Sequence, residues 1–124
     1  MAEKLKLAGV ILCYMAITVN AAIAMDLKQF LQAQKDPEAR QSSEMYLAGI
    51  AEGFAYANAE LIYDGKKPFF CRSKELAFNE SNHKNILAES ITRYEKMGVL
   101  KSQLEKLSIV SIYFEGLQIT FPCQ

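Results

Sequence analysis

The stretch that most constrains this chain is Tyr46-Leu-Ala-Gly-Ile-Ala-Glu-Gly-Phe-Ala-Tyr-Ala-Asn-Ala59. It contains no proline, and Gly49 and Gly53 are separated by about one helical turn, so both fall on one helix face. Ala57 continues that face as a stripe with almost no side-chain bulk. The opposite flank carries Tyr46, Ile50, Phe54 and Leu61, spaced as a buried helical stripe should be. Each glycine costs roughly 1 kcal/mol in a helix relative to alanine. A second backbone packed closely on the small stripe would offset that cost. The stretch therefore predicts the central helix of a small all-helical domain.

With 124 residues the chain has room for one domain. Its first 24 residues do not belong to that domain's pattern. Lys4 and Lys6 form a basic start, residues 7–19 are apolar apart from Tyr14 and Thr18, and Ala22-Ile23-Ala24 supplies small residues for a signal peptidase. This predicts a secretory signal peptide over 1–24, cleaved after Ala24, and a mature domain over 25–124. A membrane anchor or a buried first helix are the competing readings. The apolar run is well short of the roughly 20 residues that a spanning helix needs. Cys13 follows Leu12, where a bacterial lipoprotein needs a small residue, so lipidation is rejected.

The full chain balances 14 basic against 14 acidic residues. Losing Lys4, Lys6 and Glu3 with the leader leaves a single excess negative charge. Neither sign dominates, so nothing points to nucleic acid or to an anionic membrane surface. Without Cys13, two cysteines remain, Cys71 and Cys123. An even pair in an exported chain predicts a disulfide in preference to two free thiols. The chain-entropy model assigns roughly 4 kcal/mol to a loop closed between those positions.

Along the mature chain, Met25 to Lys35 reads as a short amphipathic helix capped by Asp26, with Leu27, Phe30 and Leu31 on its buried side. Asp36-Pro37-Glu38 starts a second helix that runs through the glycine stripe to about Tyr63, with a break near Gln41-Ser42-Ser43 left open. Asp64-Gly65 closes it, Gly65 taking the left-handed conformation. In the turn that follows, Tyr63, Asp64, Lys66 and Lys67 combine an aromatic, an acid and two cations, a composition suited to partner contact. Phe69-Phe70-Cys71 reads as a plug of core residues pinned by the disulfide. Residues 72–80 are a connector. A third helix, capped by Asn79 or Ser81, buries Ile86, Leu87, Ile91 and Tyr94 and stops near Gly98. A final helix over about 100–119, with Leu104, Leu107, Phe114 and Leu117 in register, is the best candidate to lie in the glycine groove. On that reading, Gly53→Leu would overpack. The fold class is all-α: a compact bundle of four to five helices with one disulfide.

The inventory for chemistry is thin. His83 is the one histidine and stands in the polar run Ser-Asn-His-Lys-Asn, which predicts a solvent-facing or locally bonded ring. No second histidine and no C-x-x-C spacing exist for a metal site. Glu52 and Glu60 lie roughly two helical turns apart and read as solvated charges, not as the acid and base of a glycosidase. Gly49 and Gly53 lack the following Lys-Ser/Thr of a phosphate loop. No cofactor is expected. The residues argue for a binding protein and against an enzyme.

Three motifs stand in order: Tyr46-Leu-Ala-Gly-Ile-Ala-Glu-Gly-Phe54, then Phe70-Cys71, then Phe121-Pro122-Cys123. With a signal peptide and an all-helical chain, this set resembles the Rap/Tai family of type VI secretion immunity proteins over residues 43–124. The resemblance implies a periplasmic protein that binds a secreted effector, above all a peptidoglycan amidase, and blocks its active site, often as a homodimer. It also implies that Cys71 and Cys123 are the family disulfide and that Tyr46, Gly49, Glu52, Gly53, Phe121 and Pro122 are structural positions. Two features differ from many relatives: Ser42 and Ser43 stand where they carry cysteines, and Arg72 starts a longer connector where a proline usually follows. The alternatives of another class are a periplasmic acid-stress chaperone and an envelope structural protein with no toxin partner.

Overall fold

The computed structural model describes residues 24–71 and 79–123. The expected leader falls almost wholly on residues 1–23, and most of the expected connector on 72–78, both outside the described residues. Within them are five helices: α1 (Leu27–Ala33), α2 (Pro37–Tyr63), α3 (Glu80–Lys96), α4 (Lys101–Leu104) and α5 (Ile109–Thr120). No strand occurs among the described residues, so the all-α expectation holds.

Four of the five helices begin at a side-chain cap, α4 being the exception. Asp26 and Gln29 form a reciprocal capping box at α1, each side chain accepting from the other's backbone N–H. Asp36 accepts from Glu38 N and Pro37 occupies the first turn of α2. Asn79 accepts from Asn82 N at α3, and Ser108 from Val110 N at α5. Two helices end on glycines with positive φ, Gly65 at 69° after α2 and Gly98 at 83° after α3. The backbone N–H of Lys66 returns to Leu61 O, and that of Val99 to Tyr94 O, as left-handed closures require.

Helix α2 runs unbroken for 27 residues, through Gln41-Ser42-Ser43. Ser43 is buried there without penalty: its Oγ donates to Arg40 O at 2.8 Å and accepts from Gln34 Nε2 at 2.8 Å. By contrast, the expected final helix is two. The chain leaves helical geometry after Leu104 and restarts at Ile109. The interruption lets the segment around Ser108 pair with residues 25–27, with Leu27 N donating to Leu107 O and Ile109 N to Met25 O.

The core is centred on α5, whose Ile109, Ile112, Tyr113 and Leu117 are fully buried. Its main neighbour is α3. The two meet at Gly116, where an added Cβ would lie 2.9 Å from Ile86 Cγ2, 3.1 Å from Ile86 O and 3.3 Å from Ser90 Cβ. Ser90 Oγ donates to Ile112 O across the same seam at 2.9 Å.

The stripe on α2 turns out differently from the expectation. Its buried line is Ser43, Leu47, Ala51 and Asn58, with Phe54 half-buried beside it, not Tyr46 and Leu61. Gly49 and Gly53 are exposed, and a Cβ at either would meet no heavy atom within 4 Å. Hence α5 does not lie in the glycine groove, and Gly53→Leu loses its expected overpacking. The reason is aromatic bulk between the axes. Phe54 stacks on Phe114 with centroids 4.6 Å apart and on Tyr113 at 6.5 Å, and that layer keeps the backbones of α2 and α5 from approaching.

The two kinds of glycine predict opposite outcomes. Gly53→Ala should raise stability by about 0.5–1 kcal/mol, because a helical glycine in open space has only its entropy cost to lose. Gly116→Ala should lower it by about 1–3 kcal/mol through overpacking against Ile86. Urea denaturation of both variants reads the difference, and destabilisation by Gly53→Ala would show that something covers that stripe.

Candidate partner-binding surface

Among the described residues, the turn after α2 is the most exposed aromatic and charged feature. Tyr63 is 89% exposed, and Asp64, Lys66 and Lys67 are exposed with it. Asp64 and Lys66 pair at 2.9 Å, both well solvated, so the pair shapes the turn more than it stabilises the fold. The turn is anchored from below by Asn58, one of few buried polar side chains. Its Nδ2 donates to Phe70 O at 2.9 Å, while its Oδ1 accepts from Phe69 N at 2.7 Å and from Phe70 N at 3.3 Å. One amide side chain thus replaces the backbone partners that a non-helical segment lacks.

Beyond Asn58 two of the three sequence motifs converge, Phe70-Cys71 and Phe121-Pro122-Cys123. Cys71 is bonded to Cys123, with Cα atoms 4.9 Å apart, and Cys71 N donates to Phe121 O at 2.8 Å. Phe70 and Phe121 are buried, Pro122 is exposed, and Phe69 sits edge-on to Phe114 at 5.3 Å. So Cys71, Cys123 and Phe121 are brought together, while Tyr46, Gly49, Glu52 and Gly53 lie apart from them on the outside of α2. There Tyr46 is 36% exposed and Glu52 is solvated. A shallow apolar cleft of about 280 Å³, lined by Ile50, Gly53, Phe54, Ala57 and Val110, runs where the glycine groove was expected to be filled.

His83 corrects the expectation of a solvent-facing or locally bonded ring. It is buried between α3 and α5, and its Nδ1 lies 2.9 Å from Tyr113 Oη, a residue thirty positions away. Burial pushes the imidazole below its ordinary value of 6.5, partly opposed by the Glu52 carboxylate. Burial raises the Tyr113 phenol. Tyr94 is also raised, to about 12, because it donates to the Glu115 carboxylate and so holds its proton.

Asn58 and His83 were both within reach of periodicity. Asn58 continues the line Leu47, Ala51, Phe54 at helical spacing, and His83 stands in register with Ile86, Leu87 and Ser90. The polar residue type, not its position, concealed them. Among the described residues no group of His, Cys, Asp and Glu could hold a metal ion, and no helix is long and apolar enough to cross a membrane. No family model, curated protein or solved structure matches this chain.

Two measurements probe this region. Asn58→Ala should cost about 1–3 kcal/mol by leaving buried amides of the 69–70 segment unpaired. Hydrogen exchange at the Phe70 amide should accelerate in that variant before the helices respond; an unchanged rate would show that the disulfide alone holds the segment. The second concerns pH. The folded imidazole has the lower pKa, so the unfolded chain takes up the proton first, and stability is fully present above 6.5 and lost as pH falls below it. His83→Gln should flatten the fall in melting temperature just below that value, and an unaltered slope would exclude His83 as its source.

Proposed function

We propose that this is an exported, periplasmic immunity-type protein that binds a secreted effector, a peptidoglycan amidase, and inhibits it by occupying its cleft. The observation that carries the reading is the Tyr63–Lys67 turn. It projects from the end of a 27-residue helix and presents an aromatic with two lysines, while Asn58 and the Cys71–Cys123 bond hold its far side. A loop stiffened before binding loses little conformational entropy when it enters a cleft. Its hydrogen bonds and disulfide belong to the scaffold, and its exposed side chains are left for the partner.

An acid-stress chaperone is the second reading, and His83 is the observation that favours it. A buried imidazole whose pKa is lowered by burial makes the α3–α5 contact weaken in acid, which is what a protein activated by unfolding requires.

The deciding experiment looks for an amidase gene beside this one, pairs its product with the protein, and measures binding and inhibition of peptidoglycan hydrolysis; absence of any such gene counts against the reading. Tyr63→Ala with Lys66→Ala should weaken that complex by about tenfold or more, as loss of an aromatic hot spot does. Unchanged affinity in a folded double variant would remove the turn from the interface. Protection of aggregating client proteins only at low pH, with no amidase bound, would favour the chaperone.

A further inference from the structure

The outward face of α2 lies beside the turn and is covered by none of the described residues. Met45 is 69% exposed, Tyr56 70% and Tyr63 89%, with Tyr46 at the edge of the same surface. Tyr56 and Tyr63 are seven residues apart, about two turns, and so lie on one side of the helix. Glu52 and Glu60 each stand one turn from Tyr56, on either side of it, and both are exposed. Gly49 adds no bulk between Met45 and Glu52. Large exposed apolar groups in a row on one helix mark an interaction surface more often than a solvated one.

Along α2 itself the charge on this surface is of one sign, and the cations Lys66 and Lys67 stand beyond it in the turn after Tyr63. Between Arg40 and Lys66 the chain carries Glu44, Glu52, Glu60 and Asp64 and not one lysine or arginine. Among the described residues no ion pair engages Glu52 or Glu60, whereas Glu44 pairs with Lys84 and Asp64 with Lys66. Aromatic ring faces attract cations, and a carboxylate one turn away adds a charge of the matching sign. A second copy of this chain docked here through the same face would set Glu52 and Glu60 against their equivalents with no cation on the stripe to answer them.

We propose that this face of α2 is a docking surface for a cationic polypeptide segment of a partner protein, its lysines or arginines seated between Tyr56, Tyr63 and the carboxylates of Glu52 and Glu60. The inference rests on the reading that the chain is a protein-binding module, and it assigns the chemistry of the partner's contact segment.

The test uses the full mature domain and two synthetic helical peptides of matched length, one of lysine and leucine, the other with glutamate in place of each lysine. Nuclear magnetic resonance should show the lysine peptide shifting the ring signals of Tyr56 and Tyr63, and the glutamate peptide leaving them in place. Glu52→Gln with Glu60→Gln, and separately Tyr56→Ala, should each weaken the lysine peptide by about tenfold, the scale of a lost interface hot spot. Glu89→Gln with Glu95→Gln, on the exposed side of α3, should not. Equal binding of both peptides, equal loss with the α3 pair, or no binding of either overturns the proposal. So does a dimer in sedimentation equilibrium that Tyr56→Ala dissociates, since the face would then belong to a second copy. If an amidase still binds the Glu52→Gln, Glu60→Gln protein unchanged, the immunity reading stands and this surface falls. If the peptide results hold while no amidase is inhibited, the surface stands and the immunity reading falls.

Discussion

The approach of α5 to α3 at Gly116 is the contact on which the rest of the architecture depends. It lets Ile86 lie against the α5 backbone, and it brings Ser90 within reach of Ile112 O and His83 within reach of Tyr113. Those two polar contacts fix the rotation of the helices about their axes, because each needs a partner that apolar packing alone would not supply. With α3 and α5 locked, the aromatic side chains of α5 form the platform on which Phe54 of α2 rests. Helix α2 is therefore held at a distance by rings, not drawn in by small residues. Its opposite face has no partner among the described residues.

The same arrangement separates the parts that hold the fold from the parts that face outward. Asn58 and the disulfide use the inner side of α2 and the end of α5 to stiffen residues 69–71. Neither contact reaches the side chains of Tyr63 or Lys67. Changes in the exposed turn should therefore have little effect on packing, whereas changes at Asn58 disturb it.

Much of the helix pattern was legible because caps and breakers are local. Asp26, Asp36, Asn79, Gly65 and Gly98 all stop or start helices where their side-chain chemistry or conformational freedom demands it. The cysteine pair was legible from its number. What could not be read was which apolar line on α2 faces inward. Tyr46–Ile50 and Leu47–Ala51 are both spaced for burial, and they differ by one residue, a rotation of about 100°. Only the position of the aromatic platform on α5 decides between them. The break at residues 105–108 was hidden for a similar reason, since the apolar spacing runs through it and the bonds to Met25 and Leu27 that compensate it come from the far end of the chain. At the surface, the turn at Tyr63 was visible as composition, but the exposure of Tyr56 depended on the same unread rotation.

The placement of the disulfide has a mechanical consequence. Cys123 follows α5 and Cys71 lies just after α2, so α3, α4 and α5 are enclosed in a covalent ring while α1 and α2 form a linear arm. A pull applied between the two termini passes along the arm, enters the ring at Cys71 and leaves it at once through sulfur to Cys123. The arm can be drawn out, but the ring bears almost none of the load. The seam at Gly116 is thus shielded from tension by topology, however the helices around it are packed.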